Sequence, residues 1–98
     1  MWFLVIGLGS MGKRRIRLLQ QYIKNERLSK SEWKIFGLDF KEERCREAKL
    51  LFDIKTYSSF EEAVEQNDID CAVVSTSPLS HAFIIKQCLE RKLHVFTE

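Results

Sequence analysis

A glycine turn, Gly7-Leu8-Gly9-Ser10-Met11-Gly12, joins an unbroken apolar run to a stretch of helical periodicity, and no other feature restricts the fold of this chain as tightly. The pattern is G-x-G-x-x-G. Before it, Trp2-Phe3-Leu4-Val5-Ile6 lacks alternation, as a parallel strand covered on both faces requires. After it, Met11, Ile16, Leu19, Tyr22 and Ile23 recur at helical spacing from Ser10 to about Lys24. In a strand–turn–helix unit each of these glycines has its own task. Gly7 permits the tight turn, Gly9 lets a pyrophosphate approach the backbone, and Gly12 lets the helix pack closely on the strand. The first helical N–H groups, at Ser10, Met11 and Gly12, have no partner within the helix, and the positive end of its dipole favours an anion there. Three of the chain's 4 glycines fall in these six residues. The competing reading is a glycine turn with a structural role only.

Strand-like and helix-like segments then alternate. Trp33 to Asp39 reads as a second strand, Lys41 to Phe52 as a helix with Ala48, Leu51 and Phe52 on one side, and Ile54 to Tyr57 as a short third strand. Ser59-Phe60-Glu61-Glu62 has the form of a capping box and opens a helix to about Gln66. Cys71-Ala72-Val73-Val74 is a fourth strand, again unalternating, and Pro78 breaks the chain after it. Ser80 to Arg91 forms a last helix with Ala82, Ile85, Cys88 and Leu89 inward, and His94 to Thr97 a fifth strand. Strict alternation implies right-handed crossovers and a parallel sheet with helices on both faces. The most economical arrangement is an α/β, Rossmann-type doubly wound sheet in the order 3-2-1-4-5, occupying residues 1–98 as one dinucleotide-binding domain.

Such a site also needs an acid at the end of the second strand to take the ribose hydroxyls, and Asp39 stands there. Its distance from Gly12 exceeds the usual spacing of about 20 residues, and the polar loop from Asn25 to Ser31 absorbs the excess. A carboxylate accepts from the 2′ and 3′ hydroxyls and repels a 2′-phosphate, which favours NAD over NADP. Lys41 and Arg44 lie near enough in sequence to leave NADP open. The plainer reading of Asp39 is a solvated strand-end residue capping the next helix. Lys13, Arg14, Arg15 and Arg17 crowd the wrong end of the first helix for cations, and read as a basic solvated face. His81 suits a surface or packing position as well as a cofactor contact, and His94 is given no role.

Composition narrows the partners. At 45% hydrophobic and 31% charged residues the chain is globular, and a formal charge of +2 is too mild for a nucleic-acid or membrane footprint. No apolar run approaches the ~18 residues of a membrane helix. The N-terminus begins in strand-like sequence without the marks of a secretory signal. Cys45, Cys71 and Cys88 are odd in number and spaced for neither a disulfide framework nor a metal site, so they read as reduced thiols. These features predict a cytoplasmic protein with no bound metal.

Several motifs in order resemble one family. Gly7 to Arg15, Asp39, the Ser-Thr-Ser-Pro-x-x-His segment (Ser75 to His81) and the terminal His-Val-Phe-Thr-Glu (His94 to Glu98) are similar to the nucleotide domain of the glucose-fructose oxidoreductase / inositol dehydrogenase / rhizopine-catabolism (Gfo/Idh/MocA) oxidoreductases. The resemblance implies that Asp39 binds the adenosine ribose and that Ser75, Thr76, Pro78 and His81 line the cofactor. In the family the fifth strand ends in Glu-Lys-Pro, the glutamate approaching the nicotinamide ribose and the lysine often serving catalysis; only Glu98 is present here. The implied cofactor-binding set is therefore Gly7, Gly9, Ser10, Met11, Gly12, Asp39, Ser75, Thr76, Pro78, His81 and Glu98, with no catalytic residue. It also implies a domain that stops before its last strand and lacks the family's substrate domain. The expected function is the NAD(P)-binding domain of an oxidoreductase acting on a sugar, polyol or related alcohol. This chain alone would bind cofactor without turnover, meeting a small-molecule substrate only in a full-length form. Where the family usually ends its last helix with glycine this chain has Lys92, at a cost on the order of 1 kcal/mol if that residue is left-handed.

Two other classes stay open at this level: a stand-alone NAD-sensing or regulatory module, and a Rossmann-like methyltransferase, which also uses a glycine-rich first turn. The fifth strand, with Val95 and Phe96 between His94 and Glu98, would be a poorly blunted edge. That predicts self-association, most simply as a symmetric antiparallel homodimer of fifth strands.

Overall fold

The computed structural model describes residues 1–97; Glu98 and the side chain of Pro78 lie outside the described residues. Five strands, β1 (Trp2–Ile6), β2 (Lys34–Leu38), β3 (Lys55–Tyr57), β4 (Cys71–Val74) and β5 (His94–Thr97), form one sheet in the order β3-β2-β1-β4-β5. Every pairing is parallel. The intervening helices are α1 (Ser10–Asn25), α2 (Glu42–Phe52), α3 (Phe60–Gln66) and α4 (Pro78–Glu90). Both the fold class and the strand order are those read from the sequence.

The absence of alternation in β1 and β4 has its cause in two apolar layers. On one face Ile16 and Ile23 of α1 and Cys45 and Ala48 of α2 pack with Val5, Ile35 and Val73. On the other, Phe60 and Ala63 of α3 and Ile84 and Cys88 of α4 pack with Leu4, Ile6, Phe36, Leu38, Ala72 and Val74. Successive strand residues therefore enter opposite cores, and both must be apolar.

Two details differ from the sequence expectation. Pro78 opens α4 rather than ending the preceding segment, with Ser77 as N-cap. A proline in the first turn loses only an N–H that has no helical partner. The inward face of α4 is Ile84 and the expected Cys88, with the expected Ile85 packed at its border, whereas Ala82 and Leu89 are exposed, as is Leu51 of α2. Alpha4 is apolar around much of its circumference, so periodicity does not select which stripe meets the sheet. Ser59 caps α3 as read, its Oγ accepting from the Glu62 N–H. Lys92 is left-handed, at φ 60°. Its N–H donates to Leu89 and the next N–H, of Leu93, donates to Cys88, closing α4 with lysine where glycine would cost less.

Candidate functional site

Register assembles the site. Ile6 pairs with Leu38 on one side and Val74 on the other, so the residues that follow, Gly7, Asp39 and Ser75, meet at one edge of the sheet. Gly7 N–H donates to Leu38 O and Ser75 N–H to Ile6 O, both at 2.8 Å. Here the chain leaves β1 toward β2 on one side while β4 lies on the other, the switch point at which open α/β sheets bind ligands.

The three turn glycines answer to different constraints. Gly7 has φ +96°, and a Cβ there would lie 2.7 Å from Ser75 O. A Cβ at Gly12 would lie 1.7 Å from Gly7 O, so α1 can approach β1 only as glycine. Gly9 is unlike both. Its backbone is ordinary, and a Cβ would meet only the Arg44 guanidinium, at 3.7 Å. The protein's own packing gives no reason for glycine at that position, whereas the close approach of a ligand does. Gly9 is also the N-cap of α1 with no side chain to cap it, and the first turn contains no acid. The helix start therefore presents N–H groups and a positive dipole end that fit an anion.

Asp39 is the buried charged residue at this edge, only 8% exposed. Its Oδ2 accepts from the Leu8 N–H and its Oδ1 from the Lys41 N–H, each at 2.8 Å. Arg44 Nη1 stands 3.6 Å from Oδ2. The Asp39 carbonyl accepts from the Cys45 thiol at 3.2 Å. Burial pushes that thiol's pKa up, so the sulfur serves as a donor rather than a nucleophile. Each carboxylate oxygen has acceptor capacity beyond its one backbone bond, as two ribose hydroxyls need.

Across the turn, Thr76 Oγ1 is buried without a hydrogen-bond partner, while its methyl group would be 3.1 Å from a Cβ on Gly7. An orphaned hydroxyl beside the glycine turn fits a site completed by a polar ligand. Further along, His81 Nε2 and Thr97 Oγ1 share a 2.7 Å hydrogen bond that ties the start of α4 to the end of β5. His81 is thus engaged with β5 in this state. Gly7, Gly9, Ser10, Met11, Gly12, Asp39, Ser75 and Thr76 belong to the one turn-and-strand-end cluster. The side chain of Pro78 and all of Glu98 lie outside the described residues.

Two of the basic residues of α1 turn to other work. Lys13 pairs with Glu47, and Arg17 lies over the Phe52 ring at 6.0 Å, so both join α1 to α2. Sequence reasoning passed over Leu8. Its side chain is fully buried and its N–H holds Asp39. A Cβ on Gly37 would come within 3.1 Å of both Leu8 methyl carbons. The signal was the fourth glycine, placed two residues before Asp39.

Residues 1–98 match the family model GFO_IDH_MocA, described as "Oxidoreductase family, NAD-binding Rossmann fold". The chain belongs to this family. Its cofactor is accordingly NAD. Among solved structures, the WlbA dehydrogenase from Chromobacterium violaceum, in complex with NADH and UDP-GlcNAcA, is 20% identical with a TM-score of 0.83, over 99% of this chain and 26% of that one. A probable dehydrogenase from Thermotoga maritima is 26% identical with a TM-score of 0.80, over 99% and 27% respectively. The scyllo-inositol dehydrogenase from Lactobacillus casei, with bound NAD(H) and scyllo-inositol, is 20% identical with a TM-score of 0.80, again over 99% and 27%. The chain thus spans about a quarter of the length of these Gfo/Idh/MocA-type structures. Curated protein sequences supply no match. Among the described residues no helix is long and apolar enough to cross a membrane.

Proposed function

We propose that these residues hold NAD for an oxidoreductase acting on a sugar, polyol or related alcohol, and that the 98-residue chain alone binds the cofactor without turning it over. The observation that carries the reading is the hydrogen bond from Leu8 N–H to Asp39, which joins the ribose acid to the phosphate turn. The adenosine ribose would donate to Asp39. The pyrophosphate would lie over Gly9 against the N–H groups of Ser10 and Met11, and Thr76 would supply its unspent hydroxyl. Pro78, His81 and Glu98 belong to the proposal as the nicotinamide end of the site, on the family resemblance. The bound nicotinamide accepts or gives hydride; a substrate carbinol and a base to take its proton are the further requirements. Neither is assigned to a residue here, which is the basis for binding without turnover. The alcohol class rests on neighbours such as the scyllo-inositol dehydrogenase.

Calorimetric titration of the 98-residue chain with NAD, and separately with S-adenosylmethionine, tests the reading. Saturable one-to-one NAD binding that disappears in Gly9→Val supports it. Affinity for S-adenosylmethionine with none for NAD overturns it. The open edge of β5 is proposed as the surface for self-association of the isolated chain.

A further inference from the structure

At the end of the sheet opposite the glycine turn, where β2 and β3 begin, lies a groove of about 920 Å³ that the nucleotide reading leaves unused. Its walls come from the last turns of α1, the segment that follows it, the starts of β2 and β3 and the residues closing α2. Five of the lining residues are cations, Lys24, Arg27, Lys30, Lys34 and Lys55, against one carboxylate, Asp53. Among the described residues none of the five takes part in an ion pair. Lys34 lies over the Trp2 ring at 4.8 Å and Lys55 over the Tyr57 ring at 5.9 Å, and neither contact uses up the ammonium donors. The last turn of α1 accounts for Lys24, because the negative end of a helix dipole favours a cation. Arg27 and Lys30 stand beyond the helix, both exposed, and Glu26 and Glu32 of the same segment do not line the groove.

The floor between these cations is apolar, with Ile23, Ile35 and Ile54 lining it, all buried. The aromatic rings of the groove are already engaged: Trp33 with Phe3 and Tyr22, Phe36 with Trp2 and Tyr57, and Phe52 beneath Arg17. They serve the protein's own packing rather than a platform for stacked bases, which disfavours a nucleic acid. The cations come from α1, the segment after it, β2 and β3, a spread that suits several separate carboxylates better than one compact anion. Backbone pairing points the same way. Beta3 starts opposite Phe36, so Lys34 and Ile35 of β2 are strand-paired on the β1 side alone. An extended chain laid there meets the edge of a strand as well as charge.

We propose that this groove docks an extended acidic segment of a partner protein, its carboxylates on the five cations and its intervening apolar side chains over the isoleucine floor. Opposite charge draws the segment in and fixes its register, and burial of its apolar side chains holds it. The groove and the nucleotide turn lie at opposite ends of the strands, so occupancy of one leaves the other open.

The test is calorimetric titration of the 98-residue chain with a short peptide of alternating glutamate and valine, its lysine–valine counterpart, inorganic phosphate and a single-stranded oligonucleotide. The acidic peptide is expected to bind one-to-one, more weakly as salt is raised, and the basic peptide not at all. In the combined variant Lys24→Gln, Arg27→Asn, Lys30→Gln its affinity is expected to fall about tenfold or more, while the response to NAD is unchanged. Asparagine suits the left-handed backbone of Arg27, at φ 53°. Circular dichroism verifies the fold. Lys30→Glu, a single reversal at an exposed position, is expected to weaken the peptide in the same direction and stands in should the combined variant not fold. No binding of the acidic peptide, equal affinity for the two peptides, or full affinity in a folded variant overturns the inference. Phosphate or the oligonucleotide binding in place of the peptide overturns it as well, and assigns the cations to a different anion.

Discussion

Asp39 Oδ2 accepts the Leu8 N–H at 2.8 Å, so the end of β2 and the turn after β1 form a single hydrogen-bonded unit. Asp39 is thereby structural before any ligand arrives: it pins the turn and holds its own carboxylate in place. A buried group with this double duty has a double mutational signature.

Asp39→Ala leaves the Leu8 and Lys41 N–H groups without their acceptor. A loss of about 1–3 kcal/mol in stability is expected from the buried donor alone. NAD should bind more weakly and its preference over NADP should narrow. Asp39→Asn keeps an acceptor oxygen for Leu8 and should lose less stability than alanine. Thermal unfolding read beside calorimetric titration separates the two effects. Full NAD affinity in a folded Asp39→Ala chain would remove this residue from the site.

The turn glycines should part company under substitution. Gly9→Val is expected to fold, because a Cβ there lies at ordinary contact distance from the Arg44 guanidinium, and to lose NAD binding. Gly12→Ala is expected not to reach the native fold, since its methyl carbon would stand 1.7 Å from Gly7 O. Circular dichroism and titration of both variants check the contrast. Unchanged NAD affinity in Gly9→Val would show the turn to be structural only.

Thr76→Val should act in opposite directions on stability and binding. Its hydroxyl is buried and unpartnered in the free chain, so replacing it with methyl is expected to be neutral or to stabilise by up to about 1 kcal/mol. For a domain of this size that corresponds to a rise of up to roughly 4–8 °C in Tm. NAD affinity should fall if the hydroxyl meets the cofactor. A variant that binds NAD as well as the parent would assign Thr76 to packing.

What could be read from the sequence, and what could not, follows from range. Beta1 and β4 announced themselves because a strand between two apolar layers needs a continuous run, and the glycine turn because Gly7 and Gly12 admit no other residue. Asp39 was placed from its strand end alone. The inward stripe of α4 was legible only at Ile85 and Cys88, because a helix apolar on several sides owes its orientation to the sheet beneath it. The approach of Arg44 to Gly9 was not legible either, because it depends on how α2 returns across the end of β1. The bond between His81 and Thr97 depends in the same way on β5 lying beside β4.

Alkaline pH should destabilise the fold through Cys88. Burial, with a smaller contribution from the charge of Cys71, pushes this thiol up from 9.0 to about 11. Between those values the unfolded chain has released the proton that the folded chain retains, so rising pH favours unfolding. Stability is full below about pH 9 and declines as pH rises toward about 11, by an amount on the order of 2–3 kcal/mol. Cys88→Ala should start lower, for the small cavity it leaves, and show a flatter decline over the same window. Denaturant midpoints measured from about pH 8 to about pH 11 check the slope. Identical slopes for parent and variant would place the alkaline sensitivity elsewhere.

The edge of β5 leads to the last expectation. Among the described residues β5 pairs with β4 alone, leaving the backbone groups of its other edge without a sheet partner. Phe96, opposite Val73 in the register, is 58% exposed, and Leu79 and Phe83 of α4 add exposed apolar surface. Proteins blunt such edges with charge, proline or cover, and the polar residues within β5 are His94 and Thr97, the latter occupied by His81. A two-fold axis across the edge would pair two copies antiparallel and bury both Phe96 side chains. Light scattering over a concentration series should show the isolated chain passing from monomer to dimer. Phe96→Lys, which adds charge to the edge and removes its largest apolar side chain, should shift that transition to higher concentration. The same substitution should leave the two cores intact, because Phe96 belongs to neither. A parent chain that stays monomeric at high concentration would rule out the edge as a pairing surface, and a dimer indifferent to Phe96→Lys would place the contact on another face.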